Sequence, residues 1–210
     1  MILLVETNFV LELAFLQKDH ERCRAMLELA KERPDDLELA FPASSVVEAY
    51  NKQIGRQQER VRSQRLAISE LEQLARSEPY AERSGELRRE VTELLIASGE
   101  EEWQRLEDVL AELYAVATVI PLDAWAAKES QRLQRERGLS PPDALVYASV
   151  LSHLNGTALS SRRHEAPHCF VTRDSDFTDD DIRGDLEGLG CKILFRFDAG
   201  MGYVRSRLSP

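Results

Sequence analysis

The sequence predicts a three-layer α/β/α sandwich with a central, mainly parallel sheet of about five strands and a helical insertion. Two observations carry this. Five short, β-rich apolar runs are separated by stretches whose apolar residues recur at helical spacing, and strands joined through helices pair in parallel with both faces covered. The stretch between the second and third runs is longer than a crossover needs and is helical in pattern throughout. With 210 residues, 43% of them hydrophobic, the chain can bury a full core, so a single domain over 1–210 with the insertion at about 50–115 is expected.

"ILLV" (2–5) is a continuous apolar run that ends at Glu6-Thr7-Asn8, and helical patterns continue through "FVLELAFL" and "CRAMLELA". "LELAF" (37–41) is the second strand. Beyond Ser44 the apolar residues Leu66, Leu71 and Leu74, then Leu87, Val91, Leu94 and Leu95, then Trp103, Leu106, Val109, Leu110 and Leu113 keep helical spacing. Breaks near Pro79 and at Ser98-Gly99 divide this stretch into three helices. "VATVI" (116–120) is the third strand. Two helices come next, "DAWAAKESQRLQRERG", closed by Gly138, and "PPDALVYASVLSHLNG", closed by Asn155-Gly156. "SSRRHEAPH" (160–168) reads as a polar loop, and "HCFV" (168–171) and "CKILFRF" (191–197) complete the sheet.

Composition narrows the function. A net charge of -10 argues against a general nucleic-acid binder. The bases are nevertheless 22 Arg to 5 Lys, and arginine binds phosphate in a bidentate fork, so local basic patches still matter. Cys23, Cys169 and Cys191 are odd in number and lack metal-ligand spacing, which fits a reducing compartment. "MILLVETNF" has no basic leader and carries Glu6 in its apolar run, and no run reaches the length of a membrane span, so a soluble cytoplasmic protein without membrane attachment is expected.

In parallel α/β sheets ligands bind beyond the carboxyl ends of the strands. Glu6 succeeds the first strand, Glu48 lies early in the helix after the second, Asp143 starts the helix before the fourth, and Asp174 and Asp176 come directly after that fourth strand. Five carboxylates from four segments are thus brought toward one edge. Each also has a structural reading. Ser45 to Glu48, Ser140 to Asp143 and Thr178 to Asp181 spell capping boxes, Glu6 favours a helix start, and Asp176 would cap the next segment of the chain. The run Asp179-Asp180-Asp181 is read as structural, because no apolar strand delivers it. Carboxylates without His or Cys partners suit a hard cation such as Mg²⁺ or Mn²⁺, which would relieve their mutual repulsion. The four histidines lack ligand spacing: His164 and His168 fall in the loop, and His20 and His153 on helices.

"LLVETNFVLEL", "SSVVEAY", "LSPPDALVYASV" and "FVTRDSDF" resemble, in order, the acidic motifs of the PIN-domain family, the ribonucleases that include VapC-type toxins. The long insertion after Glu48 is more similar to the larger PIN-like proteins than to the compact toxins. The resemblance implies a metal-dependent endoribonuclease in which Glu6, Glu48, Asp143 and Asp174 or Asp176 hold one or two Mg²⁺ or Mn²⁺ ions, supported by Asn8 and Thr172. Hydrolysis would leave 5′-phosphate and 3′-hydroxyl ends. It implies RNA as substrate and admits an antitoxin or other protein partner and a homodimer. Lys52, Arg56 and Arg60 lie beyond Glu48 on one helix face, a row that would lead phosphates to the metals or, equally, pair within the helix and face solvent. Arg173, inside the last motif, is a further candidate RNA contact.

The family usually carries Asp in "DTN" where this chain has Glu6. That departure and the acidic net charge motivate an alternative, a PIN-like RNA-binding or assembly module with weak or no catalysis. A haloacid-dehalogenase-like phosphatase ranks below both, because its chemistry needs a second Asp two residues after the first and Glu6 is succeeded by Thr7 and Asn8.

Overall fold

The run Ile2–Val5 forms strand β1, and all four of its residues are buried, as a central strand covered on both faces requires. The computed structural model describes residues 1–159 and 167–208. After β1 come helices α1 (Thr7–Ala14) and α2 (His20–Glu32), β2 (Glu38–Pro42), the long helices α3 (Ala43–Leu74) and α4 (Ala81–Val116), and β3 (Thr118–Ile120). The chain continues through α5 (Ala124–Arg137), α6 (Pro141–Leu159), β4 (His168–Val171), α7 (Asp180–Gly188), β5 (Cys191–Leu194) and α8 (Phe197–Leu208).

The five strands make one sheet in the order β3-β2-β1-β4-β5, and every pairing is parallel. Alternation along each strand divides the core in two. Leu3, Val5, Leu39, Phe41, Cys169 and Val171 face a layer built from α1, α2, α8 and the last turns of α4. Ile2, Leu4, Ala40, Phe170 and Ile193 face the layer of α5, α6 and α7. The expected α/β/α sandwich is therefore present. The strand order reverses at β1 and β4, so the carboxyl ends of these central strands open onto the crevice where parallel sheets bind ligands.

The insertion departs from expectation. It is a hairpin of two helices, not three, turned by a short 3₁₀ segment at Glu78–Tyr80 around Pro79. Ser98-Gly99 does not break α4. Gly99 serves close approach instead: a Cβ there would lie 3.0 Å from Gln57 Oε1 and 3.1 Å from Arg60 Nη1 on α3. The base of α4 is anchored in the core by Leu106, Val109, Leu110 and Leu113, each such burial contributing roughly 1.5–3 kcal/mol.

Four smaller expectations also change. The third strand begins at Thr118, because α4 runs on through Val116. "CKILFRF" is a strand only to Leu194, and Phe197 starts α8 and packs edge-on against Phe9. Helix α6 runs through Asn155-Gly156 to Leu159, whereas Gly138 does close α5 in the left-handed conformation, φ 67°. His168 lies in β4, not in a loop, and its Nδ1 accepts a 3.1 Å hydrogen bond from the Ile2 amide. The rest of the expected loop, with His164, lies outside the described residues.

Candidate functional site

Glu6 follows β1 and caps α1. Its Oε2 accepts from the Asn8 amide at 2.7 Å, and its Oε1 accepts from Thr172 Oγ1 at 3.0 Å. Thr172 is buried at the end of β4, and its hydroxyl oxygen also accepts from the Asp174 amide at 2.9 Å. Asp174 Oδ1 in turn accepts from the Asp176 amide at 2.9 Å, which closes a short 3₁₀ turn at Ser175–Phe177. The ends of the two central strands are tied together through one threonine. Asn8 acts here mainly through its backbone.

Glu48 arrives from the other side. Helix α3 starts at Ala43, directly after β2, so Ser45 is buried within the helix and Glu48 is not part of a capping box. Its Oε2 accepts from Thr7 Oγ1 at 2.6 Å, and Lys52 Nζ stands 3.9 Å from Oε1. Thr7 was not singled out in the sequence. The only available signal was its place between Glu6 and Asn8 in the first motif. Asp143 sits in the first turn of α6, where Ser140 Oγ donates to its Oδ2 and accepts from its amide at 3.5 Å, so of the expected capping box only this one long backbone bond is formed. The third box is shifted by one residue: Asp179, not Thr178, caps α7 by accepting from the Asp181 amide at 2.7 Å. Asp176 caps no helix and lies exposed within its own turn.

These acids act on one another. Burial pushes the Glu6 carboxyl up from 4.5 to about 7 against the hydrogen bonds of Asn8 and Thr172, and the charge of Glu48 pushes the same way. Glu6 is only 4% exposed. Asp143 is also raised, first by burial and then by the charges of Asp174, Glu48 and Asp176, while its bond from Ser140 opposes the rise. Glu48 acts on both Glu6 and Asp143, and Asp174 and Asp176 act on Asp143, so the five predicted carboxylates are linked through Glu48 and Asp143 at the carboxyl edge of the sheet.

Among the described residues no three acid, histidine or cysteine side chains converge to ligate one ion together. Mg²⁺ and its relatives need less than that: they commonly use one or two carboxylates, several waters and a substrate phosphate. The donor set fits such a cation. It is all oxygen, two of its members are destabilised as anions, and among the described residues Lys52 is the one base in contact with any of the five acids.

The predicted basic residues are engaged elsewhere. Arg56 and Arg60 both reach Glu102 on α4, at 3.1 and 2.7 Å, and Arg56 also lies over the Phe15 ring, 4.7 Å from its centre. Of that row only Lys52 faces Glu48. Arg173 donates to Glu12, a carboxylate 1% exposed, and stands 3.7 Å from Asp19. Glu12 gave no signal in the sequence, where it reads as one polar residue of an amphipathic helix. His153 lies 3.5 Å from Glu38. The three cysteines are buried free thiols, each held well above the usual range by burial. Among the described residues no helix is long and apolar enough to cross a membrane.

A sequence model of the PIN domain matches residues 3–177, from β1 through the turn that carries Asp174 and Asp176. Neither the curated proteins nor the solved structures gave a match.

Proposed function

From the fact that this chain belongs to the PIN-domain family, a nuclease-type fold, we propose that it is a metal-dependent endoribonuclease. The observation that supports this best is the joining of Glu6, Glu48, Asp143, Asp174 and Asp176 into one electrostatic cluster at the sheet's carboxyl edge. Mg²⁺ or Mn²⁺ bound there would supply a hydroxide-like nucleophile and charge neutralisation at phosphorus. The chain's own part is to hold the ligands in place. Thr172 fixes Glu6 and the Asp174 backbone with one hydroxyl, Thr7 fixes Glu48, and Ser140 fixes Asp143. Ligands locked in this way need little reorganisation when an ion and a phosphodiester arrive. No side-chain nucleophile is needed.

Incubation with mixed RNA and DNA in Mn²⁺, Mg²⁺ or EDTA, beside an Asp143→Asn control, tests the reading. Cleavage of RNA that is lost in EDTA and in the variant supports it. Cleavage that survives both overturns it.

A second reading is favoured by one observation. With its carboxyl raised to about 7, Glu6 is partly protonated at neutral pH, so protons compete with any cation for it. A PIN-like module that binds RNA or assembles with a partner, and cuts weakly or not at all, is the consequence. The two separate on rate: in the weak module, cleavage rises steeply between about pH 6 and 8 as Glu6 ionises, yet stays slow even when RNA saturates the protein.

A further inference from the structure

Beside the acidic cluster lies a cleft of about 350 Å³ between α3 and α6. We propose that it is a binding pocket for one nucleobase of the strand held at the acids, an inference that rests on reading those acids as the phosphodiester site. Glu48 forms its border, so the cleft is continuous with the acidic edge. On α3 it is lined by Val47 and Asn51, one turn apart on the same helix face, with Glu48 on the adjoining side of the helix. Opposite stand Pro142 and Leu145 in the first turns of α6, which also carry Asp143, and Leu122 from the loop after β3 adds to the lining.

The chemistry of this lining selects its occupant. Val47 is 62% and Leu122 45% exposed, so two aliphatic side chains face water across the mouth of a site otherwise built for charge. Apart from the neutral donors Ser44 and Asn51 the walls are apolar and hold no cation to pair with phosphate, and Glu48 repels it. They do suit the faces of a neutral planar ring, as in pockets that grip an unstacked base between apolar side chains. Asn51 adds an amide donor and acceptor that can read a base edge. The volume lies at the small end of ligand clefts, roughly 300–1,000 Å³, which suits a single nucleoside rather than a folded partner.

The test uses the full chain carrying Asp174→Asn, in Mn²⁺, and a series of single-stranded RNA octamers in which one abasic nucleotide is walked along the sequence. Binding is read by fluorescence anisotropy, and the cut position by gel on the parent protein. The expected result is one position, next to the cut, where loss of the base weakens binding by about 5-fold or more, as loss of a stacked base does. Leu122→Glu should abolish that penalty, and Asn51→Ala should level the preference among the four bases there while keeping the penalty. Both residues are exposed, so neither change should lower the melting temperature. An equal penalty at every position, a penalty that survives Leu122→Glu, or no measurable binding of the intact octamer overturns the pocket. A localised penalty without any cleavage by the parent leaves the pocket standing and removes the nuclease reading. Cleavage with no localised penalty does the reverse.

Discussion

Glu6→Gln should stabilise the metal-free protein, and the gain should grow with pH. The Glu6 carboxyl is raised by burial from 4.5 to about 7. A carboxyl whose folded value lies above its unfolded one adds stability below the unfolded value and loses that contribution as pH rises through the folded one. The window is therefore pH 4.5 to about 7. At about 1.4 kcal/mol per pH unit, ionising Glu6 in its site costs roughly 3 kcal/mol once the pH exceeds the window. Glutamine avoids that cost. Its carbonyl oxygen can still accept from the Asn8 amide, and its amide can donate to Thr172 Oγ1, so the cap survives with a loss of about 1 kcal/mol at most. The net expectation is a gain of about 2 kcal/mol at pH 8, or roughly 4–8 °C in a chain of this size, against a loss of up to about 1 kcal/mol at pH 4.5. Urea melts of parent and variant in EDTA at half-unit steps from pH 4.5 to 8 measure the difference directly. A difference that stays constant across the range, or a variant less stable than the parent at pH 8, would refute the reasoning, because burial would then not be opposing the charge.

The other predictions concern the site's partners and the packing around them. Asp143→Asn and Asp174→Asn should each reduce metal-dependent RNA cleavage by at least about 100-fold, more than loss of an outer-shell partner would cause, with melting temperatures no lower than the parent's; steep falls in both melting temperatures would mark the two acids as structural. Arg60→Ala should cost roughly 1.5–3 kcal/mol in a urea melt, since it strips one of two arginine partners from Glu102, whose side chain is only 9% exposed, and leaves Arg56 in place. Adding Glu102→Leu should recover most of that loss, and an unchanged deficit in the double variant would show that the ion pair was not its source. Gly200→Ala should destabilise by roughly 1–3 kcal/mol despite alanine's better helix propensity, because the new Cβ would sit 2.7 Å from Val171 Cγ2 at the end of β4; a gain in stability would mean that α8 shifts freely.

Much of the fold was legible in the sequence because its signals are local. Fully buried parallel strands must be short apolar runs, and "ILLV" and "HCFV" became β1 and β4 with the expected residues. Helical periodicity located α4 and α6, but not their lengths. Gly99 reads as a breaker until the neighbouring helix supplies Gln57 and Arg60 as the reason for a missing side chain. Likewise "CKILFRF" is apolar throughout most of its length, and only the packing of Phe197 on Phe9 makes its second half a helix start.

Which acids are candidates follows from the linear order of residues, since each lies just after a strand or opens a helix within a recognisable motif. Their common edge came from parallel topology alone. The tertiary structure decided the state and company of each side chain. Nothing in "ETN" reveals that Glu6 is buried, that Thr172, far along the chain, donates to it, or that Thr7 serves Glu48. The basic row after Glu48 keeps the same spacing whether it faces solvent or another helix, and only the fold of the hairpin set Glu102 opposite Arg56 and Arg60. Periodicity specifies which face of an element a residue occupies. Ionisation, hydrogen bonding and the cleft beside Glu48 depend on what the remainder of the chain places against that face.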